Sequence, residues 1–119
     1  MTDWNYDRYV LNSAVITAPG EYEYRTIRSA EAIEWLRYGD FTSAIGYQET
    51  ADAFSNLLGV EIPVNRQQIY MRENDEALVL RLLKRIDPMK KGELTPDWVL
   101  YNSEIGLLRR KSVHQGWVD

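Results

Sequence analysis

Cysteine is absent from the 119 residues, and histidine occurs once, at position 114. The first absence excludes a disulfide framework and a thiolate metal site, and the second leaves His114 without the companions a histidine-built centre requires. No metal or cofactor is expected. A long apolar run is also missing: Met1 to Val10 carries Asp3, Asp7 and Arg8, which suits neither a secretory signal nor a membrane anchor. No membrane partner is expected, and a cytoplasmic location follows from the lack of both cysteine and anchor. Excess positive charge is lacking as well. Fourteen basic residues stand against 18 acidic ones, a net charge of −4, which disfavours wide contact with duplex nucleic acid but permits a small anionic ligand held by a few arginines. There are no internal repeats, low-complexity segments or linkers, so the chain reads as a single domain over residues 1–119, with 1–8 and 113–119 as tails.

What is present is an apolar fraction of 45%, with 12% aromatic residues, enough for a packed core. The organising stretch runs from Phe41 to Gly59, FTSAIGYQETADAFSNLLG. Thr42 to Ile45 has strand composition, Gly46 permits backbone angles that a Cβ resists, and from Gln48 the apolar Ala51, Phe54, Leu57 and Leu58 recur at helical spacing until Gly59 stops them. A tight strand-to-helix turn presents free N–H groups and the positive end of a helix dipole, so an anion can sit over Gly46 and Tyr47; a plain connection is the other reading.

Tyr9 to Ile16 reads as the first strand and Tyr22 to Thr26 as the second, broken by Ala18, Pro19 and Gly20 and paired as a hairpin. Asn12, an amide in an apolar run, either ties down backbone or faces a ligand. Ser29 is the expected N-cap of a helix to Tyr38. Asn65 to Arg72 forms a further strand, Glu73 to Asp75 a reversal, and Ala77 to Ile86 a strand with its Val79 and Leu83 face partly buried. At the end of that strand, the Arg85 guanidinium needs a phosphate or an intramolecular carboxylate. Two basic runs, one from Arg81 to Lys91 and one from Arg109 to Lys111, read as solvated faces or anion contacts. Thr95, Pro96 and Asp97 cap a short helix to about Tyr101, and Glu104 to Ser112 gives the last strand. The expected fold is α/β: one mixed sheet of about five strands flanked by short helices.

Four segments in order, LNSAV at Leu11 to Val15, VNR at Val64 to Arg66, DEALVLRLLKR at Asp75 to Arg85 and EIGLLRR at Glu104 to Arg110, together with the central turn, resemble the viral ring nuclease family. Its members are anti-CRISPR proteins that bind and cleave cyclic tetra-adenylate. The resemblance implies a homodimer holding one cyclic oligonucleotide across its two-fold axis, in the cytoplasm of the infected host if the chain is viral. It also implies ligand contacts from Asn12, Ser13, Ile45, Gly46, Tyr47, Asn65, Arg66 and Arg85.

In that family the ribose 2′-hydroxyl attacks the neighbouring phosphate, and a histidine after the turn glycine protonates the leaving oxygen. Tyr47 holds that position here. A phenol titrates near 10 where an imidazole titrates near 6.5, so it is roughly three units weaker as an acid. The family glutamate that orients the histidine follows the arginine matching Arg85, where this chain has Asp87 and Pro88. With the binding residues kept and the acid and its orienter replaced, the leading expectation is a protein that sequesters a cyclic messenger of the cyclic tetra-adenylate class. A working metal-independent ring nuclease, with Tyr47 as its catalytic residue, is the alternative, and an interaction module without a nucleotide ligand is a second one.

Overall fold

The computed structural model describes residues 6–16, 18–84 and 95–111. Its strands are β1 (Arg8–Leu11), β2 (Tyr22–Thr26), β3 (Thr42–Ser43), β4 (Glu76–Leu82) and β5 (Ser103–Arg110). They form one sheet in the order β2-β5-β4-β1-β3, with β1 parallel to both β3 and β4, and β5 antiparallel to both β4 and β2. Three helices, α1 (Ser29–Tyr38), α2 (Gln48–Leu58) and α3 (Pro96–Tyr101), complete the described structure. The expected α/β class and its mixed five-stranded sheet are borne out. Among the described residues, no helix is long and apolar enough to cross a membrane.

The helices share one face of the sheet because their apolar residues recur every three or four positions. Leu36 from α1, Ala51, Phe54 and Leu58 from α2, and Val99 from α3 meet Val10, Leu78, Leu80 and Ile105 in the main core. Phe54 is fully buried there, and truncating such a ring to alanine typically costs about 3–5 kcal/mol. The opposite face carries a smaller cluster of Leu11, Ala44, Ala77, Val79 and Leu108, over which Ile69 and Met71 pack. In β4, Ala77 to Leu80 are therefore buried on both faces, more deeply than the half-buried strand expected.

Several local expectations are corrected. β1 stops at Leu11, and Ala14 to Ile16 are exposed. The expected hairpin between the first two strands does not form, because β1 is already flanked by β3 and β4, and β2 pairs with β5 instead. No strand forms at Asn65 to Arg72, which joins no ladder of the sheet. Ser29 is the first helical residue of α1, the N-cap is Arg28, and no side chain caps that end. β5 begins and ends earlier than Glu104 to Ser112. The Thr95 cap is borne out: its hydroxyl accepts from the Trp98 N–H at 3.1 Å, with Pro96 opening α3.

Arg8, placed by sequence in a tail, belongs to β1 and is buried. Its guanidinium donates to the carbonyls of Trp35 in the last turn of α1 and of Asp40 just beyond that helix, and lies 3.9 Å from the Trp35 ring centroid. Such contacts satisfy orphan helix carbonyls and let a cation be buried, although burial lowers the guanidinium pKa below its usual value. Trp35 in turn donates from Nε1 to Glu76 Oε1 at 2.9 Å, which ties α1 to β4. Nearby, the buried Asp75 carboxylate accepts the N–H groups of Asp7 and Arg72, each at 2.7 Å.

Candidate ligand-binding site

β1 and β3 run parallel and side by side, so their carboxyl ends open at the same edge of the sheet. Leu11 leads there into Asn12 and Ser13, while Ser43 leads through Ala44 and Ile45 into the turn that starts α2. Crevices beyond the carboxyl ends of parallel strands are where open α/β sheets place their ligands. A cavity of about 250 Å³ lies here, lined by Leu11, Asn12, Ser13, Val15, Ala44, Gln67, Gln68 and Ile69. Its lining is divided between the apolar Leu11, Val15, Ala44 and Ile69 and the polar Asn12, Ser13, Gln67 and Gln68. The side chains of Asn12 and Ser13 have no hydrogen-bond partner among the described residues, so the Asn12 amide faces the cavity instead of tying down backbone.

The turn itself is held by a network around Ser43. The Ser43 hydroxyl donates to the Pro63 carbonyl at 2.6 Å and accepts the Ile45 N–H at 3.3 Å. The Ser43 carbonyl accepts from Asn65 Nδ2 at 2.8 Å and Gln67 Nε2 at 3.2 Å, and the Asn65 N–H donates to the Ile45 carbonyl at 2.8 Å. Residues 63–67 are thereby fastened along residues 43–45. That fastening carries Arg66 to Gly46, whose missing side chain leaves room for the arginine stem. Gly46 does not adopt a positive φ, so close approach is the reason for glycine here and backbone strain is not.

The sequence-derived residues that the structure describes thus fall into three groups. Asn12 and Ser13 line the cavity, and Gly46, Tyr47 and Arg66 gather at the turn. Tyr47 is the N-cap of α2 but makes no side-chain cap; it is 56% exposed, and neither its phenol nor the exposed Arg66 guanidinium has a partner among the described residues. Ile45 and Asn65 are structural: the Ile45 side chain is fully buried in the main core, and the Asn65 amide nitrogen is engaged with Ser43. Arg85, Asp87 and Pro88 lie outside the described residues. The second basic run makes intramolecular ties, Arg109 to Glu23 at 3.1 Å and Arg110 Nη1 to the Met71 carbonyl at 2.6 Å. Among the described residues no cluster of potential metal ligands occurs.

Sequence reading missed Ser43, Gln67 and Gln68. The signal was present in the latter two as consecutive amides following Arg66, but assigning them to a regular strand obscured their place in the cavity lining.

The family described as STIV B116-like matches residues 8–97, from the start of β1 into α3. The chain belongs to this family. Among its relatives, ORF117 of Acidianus two-tailed virus is 35% identical over 88 residues, covering 70% of this chain and 75% of that one. Protein 26 of Sulfolobus islandicus filamentous virus (isolate Iceland/Hveragerdi) is 36% identical over 86 residues, covering 69% and 73%. YddF of Bacillus subtilis (strain 168) is 35% identical over 77 residues, covering 63% and 71%. In three dimensions, B116 of Sulfolobus turreted icosahedral virus superposes with a TM-score of 0.75 at 19% identity, covering 86% of this chain and 97% of B116. The fold is therefore that of B116, and sequence relatives occur in viruses and in a bacterium.

Proposed function

We propose that this STIV B116-like protein binds a cyclic oligonucleotide of the cyclic tetra-adenylate class across a homodimer and acts by holding the messenger. One observation carries the reading: the stem of the exposed Arg66 crosses Gly46, its guanidinium has no carboxylate partner among the described residues, and the next residue in the chain, Gln67, lines the cavity. A guanidinium in that state is suited to a phosphate, which it can grip with two parallel hydrogen bonds. The apolar residues of the lining and the Asn12 and Gln68 amides offer stacking surface and both donor and acceptor groups, the needs of a nucleobase. A ring of repeated nucleotides presents the same groups twice, so two identical half-sites match it.

Cleavage is the weaker part of the chemistry. The Tyr47 phenol is exposed and no carboxylate among the described residues orients it, so it supplies neither a well-matched acid nor a fixed one. Holding the messenger would still remove it from a host defence that depends on it, in the host cytoplasm. Calorimetry against cyclic di-, tri-, tetra- and hexa-adenylate tests the proposal. One cyclic tetra-adenylate bound per two chains is expected, and absence of heat with every ring would overturn it.

A further inference from the structure

Among the described residues the sheet ends at β2 in an open edge. The Ile27 N–H donates to the Ile105 carbonyl and the Lys111 N–H to the Glu21 carbonyl, so odd-numbered residues turn their backbone groups towards β5. Tyr22, Tyr24 and Thr26 accordingly direct theirs outward, and no segment among the described residues pairs with them. An unpaired edge of this kind is a template for another strand unless charge or shape opposes it.

We propose that β2 pairs antiparallel with β2 of a second copy about a two-fold axis at Tyr24, joining two sheets into one. The sequence of the strand, YEYRT, is self-complementary in that register. Tyr24 faces the partner's Tyr24 and Tyr22 faces the partner's Thr26, and at each such pair both N–H groups meet carbonyls. Between them, Glu23 faces the partner's Arg25. Both charges lie on the helix side, where Glu23 already pairs with Arg109 at 3.1 Å and Arg25 with Glu31 at 2.7 Å. Pairing therefore builds a row of alternating sign: Arg109, Glu23, the partner's Arg25, the partner's Glu31. Axes at the neighbouring residues are disfavoured, since one at Glu23 or Arg25 sets two like charges face to face.

This interface is separate from the ligand site, which lies at the β1–β3 end of the sheet with β5 and β4 in between. It stands whether or not the ligand reading does. Sedimentation of the ligand-free protein, comparing the natural chain with Glu23→Arg and Arg25→Glu, tests it. Each single variant opposes like charges across the axis, and its assembly mass should fall to half. Mixing the two variants in equal amounts sets arginine against glutamate at every crossing and should restore the full mass, which a merely intramolecular role for these residues would not do. A natural chain that sediments as a monomer, single variants of unchanged mass, or no recovery on mixing would each overturn the proposal. Cyclic tetra-adenylate binding, followed on the same variants, should be unaltered.

Discussion

The aliphatic stem of Arg66 crosses Gly46 so closely that a β-carbon at position 46 would stand 3.1 Å from Arg66 Cγ. Glycine here sets the path of an exposed cation rather than the path of the backbone. Because the arginine is exposed and can yield, Gly46→Ala should leave the melting temperature nearly unchanged while displacing the guanidinium. Weaker binding of cyclic tetra-adenylate is expected, short of the loss for Arg66→Ala, about 1.5–3 kcal/mol for a charged hydrogen bond. Calorimetry beside thermal melts checks both, and an unchanged affinity in Gly46→Ala would show that the glycine does not position the arginine.

Gly106 has a similar dependence on a neighbour, with a larger penalty. A β-carbon there would collide with the Tyr24 hydroxyl and Cζ, since the tyrosine ring lies over this gap in β5. Gly106→Ala must expel the ring and break the 2.7 Å bond from the Tyr24 hydroxyl to Glu104. Overpacking of this kind costs about 1–3 kcal/mol, measurable by urea unfolding. Tyr24→Ala in the same chain should relieve the clash, so the double variant loses less than the sum of the singles.

Alkaline pH should expose the same tyrosine. Burial, then the hydrogen bond to Glu104 and the charge of that carboxylate, push the Tyr24 phenol up to about 12. An unfolded chain releases this proton near 10, so the folded state holds it more tightly. The resulting stabilisation is complete below about pH 10 and disappears as pH rises towards about 12. Urea midpoints measured through that window should fall more steeply for the natural chain than for Tyr24→Phe, and parallel curves would contradict the assignment.

For catalysis, Tyr47→His alone should add little, because an imidazole without an orienting carboxylate lacks a fixed geometry. Combined with Pro88→Glu it should raise single-turnover cleavage of cyclic tetra-adenylate beyond the product of the separate effects, within the ~10² to 10⁴ range of general acid help. Fast cleavage by the natural chain that falls on Tyr47→Phe would make the phenol the catalyst.

The elements written in local chemistry were legible. Gly59 in the left-handed conformation ends α2, as its position after Leu58 suggests, and Thr95, Pro96 and Asp97 start α3. The partners of the strands were not legible, because which strand flanks β1 depends on packing between residues far apart. A run such as Ala14 to Ile16 looks like strand but finds no neighbour to pair with. At the site, Asn12 and Gly46 could be picked out as residues at odds with simple core or surface roles, and Arg66 through the family resemblance. The Ser43 network could not, since a serine whose hydroxyl and carbonyl both serve a distant loop looks in sequence like any other strand serine.

The position of β1 in the sheet has a consequence for synthesis on the ribosome. The first strand made lies between the third and the fourth, and none of the sheet's neighbouring pairs is a local hairpin. One edge of β1 can find β3 early, but the other must wait for β4, after both longer helices have been made. Closing such distant contacts is what makes folding slow, so the nascent chain keeps an unpaired inner strand until most of its length has emerged.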